Sequence, residues 1–303
     1  MGTRSIAVVG VPSALGGVLP EDRHVGMAEA PRDLRRLGFL DRLTAGGLEL
    51  RDTGDVPIEP GVRDDPDSRL KNRAEVAAAI RQTADAVAAC LGDADRILVI
   101  GGDCCAHAGA LAGLRRARPE RRLAIAWFDA HGDSNTAETT PSGNIWGMPF
   151  ALLLGRGEAD LVAAADGPSV EPRHAALIGG QVLDEPESRW LSASPVAHFG
   201  PGMLATPAGL AALDAWARAV AAEVDGVYVA LDHDVLDADE TPWAVTMPEA
   251  GGLGAEAAVA AVRTIRAALP VVGYGATAMN FRTGGDAAGT VAVAVRLATA
   301  ALA

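Results

Sequence analysis

An apolar run in the middle of the chain leads directly into two aspartates and a histidine at alternate positions. The run covers residues 123–128, and Asp129, His131 and Asp133 follow it. If the backbone stays extended beyond the run, side chains at alternate positions point to the same side. Carboxylate oxygens and imidazole nitrogens bind metals, so this spacing predicts a metal site.

Two more apolar runs lead into side chains that can bind a metal. Residues 97–100 precede a Gly-Gly-Asp-Cys turn that ends at Cys104. Residues 227–231 precede Asp232, His233 and Asp234. In an extended backbone His233 points away from its two neighbours, which favours a packing role for it. We expect the three runs to be buried strands whose carboxyl ends meet at one edge of a sheet.

The aspartates would repel one another strongly if they met without a cation. A purely structural network of buried carboxylates is the alternative to a metal site, but unpaired buried charges cost several kcal/mol. Divalent cations would relieve the repulsion, and an oxygen-rich ligand set suits Mn²⁺ better than structural zinc. Two such ions would lower the pKa of a bound water and supply hydroxide, which predicts a hydrolase. The predicted ligands are Asp129, His131, Asp133, Asp232 and Asp234.

Composition and charge limit the kind of protein. The chain has 303 residues, of which 49% are hydrophobic, and a formal net charge of -13. We expect one globular domain over residues 1–303. The negative charge argues against nucleic-acid or membrane partners and suits a neutral or cationic small-molecule substrate. The chain begins without a signal-peptide pattern and has no run of about 18 apolar residues, so we expect a cytoplasmic protein.

The cysteines are too few for a disulfide framework. They are Cys90, Cys104 and Cys105, and the adjacent pair would form a disulfide only with strain, so we expect reduced thiols. We expect Cys105 to have a structural role. Cys104 follows the turn at the end of a predicted strand, where it is either a metal ligand or a small buried apolar residue.

Short β-type runs alternate with helical patterns along the chain. We predict strands at residues 5–9, 48–52, 97–100, 123–128, 175–178, 196–199, 227–231 and 271–274. We predict helices at residues 30–43, 68–91, 106–118, 149–154, 207–224, 254–269 and 287–302. Loops are predicted at residues 10–26, 61–67 and 134–144. This alternation predicts an α/β fold, a single-domain three-layer α/β/α arrangement with a mostly parallel sheet.

Several motifs together resemble those of the arginase/agmatinase family of ureohydrolases, which hydrolyse guanidino compounds at a two-manganese site. They are Gly-Gly-Asp at residues 101–103, FDAHGD at 128–133, SGNIWGMP at 142–149 and LDHDVLD at 231–237. The FDAHGD and LDHDVLD motifs, occurring together and in this order along the chain, are highly specific for the family. Residues 26–37 and 271–280 also fit the family pattern, but more weakly. The resemblance covers nearly the whole chain. It implies an arginase-like fold and a homo-oligomer, since family members often form trimers or hexamers.

The resemblance also implies a role for each metal-binding residue. Asp129 and Asp232 would bridge both ions. Asp133 would bind one ion and steady the hydroxide, whereas His131 and Asp234 would bind the other ion. Asp133 would then accept the proton and pass it on.

Four further residues match positions that contact the substrate in the family. Ser142 and Asn144 match loop residues that hold the carboxylate end of the substrate. Asp184 matches a family carboxylate that binds the amino group of the substrate, and Glu187 matches a residue that supports it. A role of Asp184 in stabilising a turn explains its presence equally well. These matches imply an amino-acid-like substrate.

The chain departs from the family pattern at three positions. Cys104 stands where the first motif ends in a ligating histidine, and a softer thiolate implies a weakly bound ion, a softer metal or one ion only. A similar cysteine occurs in the hydroxyarginine hydrolase of the cycloserine pathway, which also resembles this chain at residues 135–140. Trp146 replaces a histidine that shuttles protons in arginases, so it is a pocket wall or a stacking group. Aligning Asn280 places Ala278 where a carboxylate faces the guanidinium, which makes arginine a doubtful substrate.

Two functions follow from these observations. The first is a metal-dependent hydrolase of a linear C–N bond in a guanidino or amidino compound, N-hydroxylated or otherwise modified and amino-acid-like. Within that class, an agmatinase-like or formiminoglutamase-like activity is the next candidate. The second is a catalytically silent protein that keeps the fold and one or two ions.

Overall fold

The computed structural model of the chain describes residues 5–58 and 69–303, and its centre is an eight-stranded sheet. The strands are β1 Ile6–Gly10, β2 Leu50–Asp55, β3 Arg96–Ile100, β4 Leu123–Asp129, β5 Ala175–Gly179, β6 Ala197–Phe199, β7 Gly226–Asp232 and β8 Val271–Thr277. Their order across the sheet is β2-β1-β3-β8-β7-β4-β5-β6, and every neighbouring pair is parallel. The loop predicted at residues 61–67 lies outside the described residues.

Helices connect the strands. They are α1 Ala30–Arg36, α2 Phe39–Ala45, α3 Arg73–Cys90, α4 Cys105–Ala117, α5 Pro149–Leu153, α6 Ala159–Ala164, α7 Glu185–Ala193, α8 Pro201–Leu204, α9 Pro207–Ala221, α10 Ala255–Ala268 and α11 Ala287–Leu302. Across residues 5–58 and 69–303, none of them is both long enough and apolar enough to cross a membrane.

The sheet has a hydrophobic core on each face. Helices α1, α2 and α8 to α11 contribute to one core, and α3 to α7 contribute to the other. Strand β4 shows how the sequence builds both: Phe128 packs into the first core, and Trp127 packs into the second. Alternate residues of a strand point to opposite faces, so a continuous apolar run indicates a strand that is covered on both sides. The predicted three-layer α/β/α fold is confirmed.

The helix predictions were wrong in several details. The helix predicted at residues 30–43 is two helices, because Gly38 adopts a left-handed conformation with φ of 78° between α1 and α2. The helix predicted at 68–91 begins only at Arg73, after Asn72 in a left-handed conformation with φ of 51°; residue 68 lies outside the described residues. Helices α6, α7 and α8 were not predicted, since each is short and lacks a long apolar repeat.

The strand order explains how distant motifs meet. Strands β3, β8, β7 and β4 are consecutive in the middle of the sheet, and all run in the same direction. Their carboxyl ends therefore form one continuous edge, where parallel α/β sheets bind their ligands. The three predicted strand-end motifs lie along this edge.

Candidate active site

Strand β4 contributes the first group of acidic side chains. Asp129 is its last residue, and its Oδ2 accepts a hydrogen bond of 3.1 Å from the indole nitrogen of Trp127. Beyond Asp129 the backbone turns: the His131 N–H donates to Asp129 Oδ1 at 2.8 Å, and Asp133 has a φ of 46°. The backbone therefore does not stay extended beyond the strand, but His131 and Asp133 still line one cavity.

Strand β7 contributes the second group. Asp232 ends the strand, and its Oδ1 accepts a hydrogen bond of 3.3 Å from the Asp234 N–H, which opens a short 3₁₀ turn. Oδ1 of Asp234 in turn accepts from the backbone N–H of Ala130 at 3.2 Å, which joins the ends of β7 and β4. His233 is fully buried, with Nδ1 3.3 Å from the carbonyl oxygen of Thr277. This geometry agrees with the packing role expected for His233.

Strand β3 contributes Cys104. The turn after the strand passes close to the first loop of the chain, and Gly102, with φ of 80°, leaves room for it. A Cβ at Gly102 would lie 2.6 Å from the carbonyl oxygen of Val11. Cys104 then precedes α4, and its Sγ lies 2.8 Å from Asp232 Oδ2. The turn thus brings Cys104 to the aspartate of β7.

These side chains form two groups with the geometry of metal sites. Cys104, Asp129 and Asp232 each offer an atom within 4.8 Å of the others, and so do Asp129, His131 and Asp234. Nδ1 of His131 lies 3.3 Å from both Asp129 Oδ1 and Asp234 Oδ2. Asp129 belongs to both groups, as a bridging ligand would.

Asp133 lies outside both groups but on the same cavity wall. The residue is 3% exposed, and its Oδ2 has no hydrogen-bond partner within the described part of the chain. A buried carboxylate oxygen without a partner is costly, and a cation or a proton would satisfy it. The carboxylates, the thiol and the imidazole of the two groups, together with Asp133, therefore form a set of ligands that fits divalent cations.

Burial and mutual repulsion disfavour charge on these carboxylates. Burial raises the pKa of Asp133, and the charges of Asp129 and Asp232 raise it further. Burial and the charge of Asp234 likewise raise the pKa of Asp232. Burial and the nearby aspartates also raise the pKa of the Cys104 thiol. A divalent cation would reverse these shifts, because it stabilises the charged form of each ligand.

The cavity beside the metal groups holds the predicted substrate residues. Its volume is about 270 Å³. Ser142, Asn144, Trp146 and Asp184 all line it, together with Ala278. Oδ1 of Asn144 accepts a hydrogen bond of 3.1 Å from the N–H of Val18, so the first loop of the chain closes over this side of the cavity.

Trp146 is held as a wall by the same loop. The backbone N–H of Trp146 donates a hydrogen bond of 2.9 Å to the carbonyl oxygen of Gly16. A Cβ at Gly17 would lie 2.5 Å from the indole ring, so the backbone of Gly17 packs directly on it. The His24 ring meets the indole edge-on, with centroids 6.2 Å apart. These contacts with the first loop hold the Trp146 indole in place as part of the cavity wall.

Asp184 lies immediately before a helix. It is the N-cap of α7, where it forms a capping box with Glu187, and Glu187 Oε2 accepts from the Asp184 N–H at 3.1 Å. The Asn135 side chain donates to Asp184 Oδ2 at 2.8 Å. Glu187 also accepts from the Ser134 N–H at 2.9 Å, just after the β4 motif. The aspartate and glutamate three residues apart were a sequence signal for this helix.

Several cavity residues were not identified from the sequence. Thr246, Met247 and Glu249 come from the segment between the 3₁₀ turn after β7 and α10, and Met27 comes from the 3₁₀ helix Val25–Glu29 just before α1. Glu249 Oε1 lies 3.6 Å from His131 Nε2. Thr246, Met247 and Glu249 follow no strand directly and belong to no motif, so nothing in their local sequence indicated the site. Met27 lies in the segment 26–37, which fits the family pattern more weakly and did not single out this residue.

Comparison with known proteins agrees with this geometry. Residues 4–303 match the family model described as "Arginase family". The arginase of Bacillus caldovelox is 35% identical over 253 residues, which cover 82% of each chain. The arginase of Bacillus subtilis is 33% identical over 251 residues, covering 82% of this chain and 81% of that protein.

The fold gives the same result. The solved native structure of the Bacillus caldovelox arginase superimposes with a TM-score of 0.88 at 32% identity, covering 99% of this chain and 98% of that one. The resemblance that the strand-end motifs indicated is therefore present along the whole sequence and in the arrangement of its strands. The chain belongs to the arginase family.

Proposed function

We propose that this chain is a metal-dependent hydrolase of a linear C–N bond in a guanidino or amidino compound. The observation that carries the proposal is the meeting of Asp129 and Asp232, from two neighbouring strands, with His131, Asp234 and Cys104 beside one small cavity. Buried carboxylates at this density need cations. Membership of the arginase family supports the same chemistry.

Two Mn²⁺ ions are the proposed cofactor. Cys104, Asp129 and Asp232 would hold one, and Asp129, His131 and Asp234 would hold the other. When bound, the ions would lower the pKa of a water molecule so that it can attack the guanidino or amidino carbon at neutral pH. The thiolate of Cys104 is softer than a histidine and would weaken the preference of its group for manganese.

Asp133 is the proposed catalytic and metal-binding carboxylate. Its Oδ2 has no hydrogen-bond partner among the described residues, and its raised pKa reflects burial and the charges of Asp129 and Asp232. Asp133 would take the proton from the attacking water and deliver it to the departing amine. Trp146 carries no transferable proton, so the leaving group must need little acid help. An N-hydroxylated or otherwise modified guanidine meets that requirement.

Ser142, Asn144 and Asp184 are proposed to bind the far end of an amino-acid-like substrate. They lie on the cavity wall, and Asp184 is oriented by the capping box and by Asn135. Trp146 would exclude water from the reacting carbon. We further propose that residues 1–303 act as one domain, in the cytoplasm, as a homo-oligomer.

A catalytically silent protein is the alternative, and two cavity residues favour it. Trp146 lacks an acid function, and Ala278 brings no charge to the cavity. A panel assay of manganese-loaded protein separates the two. The panel is arginine, hydroxyarginine, agmatine and formiminoglutamate, with release of urea, hydroxyurea or formamide as the signal. We expect turnover of at least one compound and none by Asp232→Asn; no turnover of any compound would favour the silent protein, particularly if Cys104→His restored it.

A further inference from the structure

The cavity wall carries carboxylates besides those of the metal groups, and most are already engaged. Asp103 accepts from the N–H groups of Gly16 and Cys105 at 2.9 and 3.0 Å. Asp184 accepts from Asn135 at 2.8 Å. Glu187 accepts from Ser134 and from the Asp184 N–H. Each of these carboxylates supports local backbone or side-chain structure, which leaves it little capacity to bind a ligand.

Glu249 differs from them. Its side chain is 31% exposed, and among the described residues its carboxylate meets only the His131 ring, with Oε1 3.6 Å from Nε2. That separation exceeds an ordinary hydrogen bond. Both oxygens of Glu249 therefore keep lone pairs for a ligand in the cavity, directly beside the imidazole whose other nitrogen faces Asp129 and Asp234.

The rest of the cavity offers a cation little else. Ala278 lies on the wall without a charge, and Met27, Trp146, Val182 and Met247 make much of the surface apolar. The carboxylates of Asp129, Asp133, Asp232 and Asp234 would all be engaged by the two divalent cations, so none of them would be free to pair with a charged substrate. A positively charged substrate then needs another carboxylate, since an unpaired buried charge is unfavourable.

We propose that Glu249 binds the cationic guanidinium or amidinium group of the substrate, next to His131. This inference rests on the proposed function and names the residue that makes the site select cations. Glu249 reaches the cavity from the segment before α10, whereas Ala278 follows β8, so the negative charge comes from a different element.

A matched pair of ligands tests the proposal. Methylguanidinium and methylurea have the same shape and differ in charge, and their dissociation constants for the manganese-loaded protein can be measured by calorimetry. We expect the native protein to prefer the cation and Glu249→Gln to lose roughly 10- to 100-fold in that preference, as expected for a charge-assisted hydrogen bond. Glu185→Gln is the control, because it removes the same charge from an exposed position at the start of α7.

Two results would overturn the proposal: a native protein that binds both ligands equally, or a preference that Glu249→Gln leaves unchanged. If the unchanged preference comes with a loss of bound manganese in Glu249→Gln, Glu249 is instead a positioning residue for His131. Because these readouts are binding and metal content, they separate this inference from the turnover assay that tests the proposed function.

Discussion

At the scale of single residues, Cys104 is the position where this site departs most from an oxygen and nitrogen ligand set. Its Sγ lies 2.8 Å from Asp232 Oδ2, and burial and nearby aspartates raise the pKa of the thiol. A neutral thiol is a poor metal ligand, and an ion must displace its proton to bind. The two metal groups should therefore differ in their affinity for manganese.

Replacing Cys104 by histidine should reduce the difference in manganese affinity between the two metal groups. We expect the manganese content of purified Cys104→His to rise from about one ion per chain towards two, because imidazole suits Mn²⁺ better than a thiol does. Cys104→Ala serves as the control and should remain near one. Elemental analysis of protein purified without added manganese gives the ratio. Identical content in all three proteins would show that Cys104 is not a ligand.

Manganese affinity should rise with pH. Burial and neighbouring charges raise the pKa of Asp133, Asp232 and Asp234 in the metal-free protein, so protons compete more strongly with an ion for these groups. Each proton released strengthens binding up to about tenfold per pH unit, until the metal-free groups are already ionised. Calorimetry in two buffers of different ionisation enthalpy counts the protons, and Asp133→Asn should release fewer. Manganese binding without proton release would show that these carboxylates are already ionised in the metal-free protein.

At the scale of elements, the first loop of the chain and the loop before α5 shape the cavity together. Gly17 packs on the Trp146 ring, and Asn144 accepts a hydrogen bond from Val18. The sequence predicted both segments as loops and placed Trp146 at the site, but it gave no sign that they touch. Contacts between loops follow neither helical nor strand periodicity, so pattern analysis does not reveal them.

Adding a methyl group at Gly17 should disturb this contact. The new Cβ would lie 2.5 Å from the Trp146 ring, and overpacking of this kind costs about 1–3 kcal/mol. We expect Gly17→Ala to lower the free energy of unfolding in urea by that amount. Gly147→Ala is the matched control, because its Cβ would meet nothing within 4 Å, and it should change the free energy by less than about 1 kcal/mol. Equal effects would show that the packing of Gly17 does not matter.

A buried polar chain joins α4, β7 and β8 beneath the metal groups. His107 Nδ1 lies 3.0 Å from the Tyr228 hydroxyl, and its Nε2 lies 2.9 Å from Thr277 Oγ1. Burial, helped by the nearby His233, lowers the pKa of His107 to about 3, so the imidazole is neutral. The sequence left His107 unassigned because its partners come from distant strands.

Removing one hydroxyl tests that chain. Tyr228→Phe would leave a buried nitrogen of His107 without a partner, and we expect the free energy of unfolding to fall by about 1–3 kcal/mol. Tyr274→Phe is the matched control, since its buried hydroxyl has no hydrogen-bond partner within the described residues and its loss should cost little. Urea denaturation measures both. A Tyr228→Phe protein as stable as Tyr274→Phe would mean that the chain contributes nothing.

At the scale of the whole molecule, the sheet and the side chains at its carboxyl edge were largely predictable, whereas the part of the cavity wall formed by Thr246, Met247 and Glu249 was not. Runs such as residues 123–128 and 227–231 predicted buried parallel strands because both faces of the sheet are covered. The motifs after them predicted which carboxylates meet, since carboxyl ends of parallel strands share an edge. Glu249 and Met247 escaped prediction because irregular segments carry no periodic signal. Their position depends on the packing of the whole chain.

The central claim is that the carboxylates at the ends of β4 and β7 share divalent cations. Anomalous diffraction from a crystal soaked in Mn²⁺ tests it most directly, because the anomalous peaks locate the ions without reference to activity. We predict a peak within coordination distance of both Asp129 and Asp232, with a second near His131 and Asp234. The absence of a peak between Asp129 and Asp232, with manganese bound elsewhere or not at all, would contradict the account.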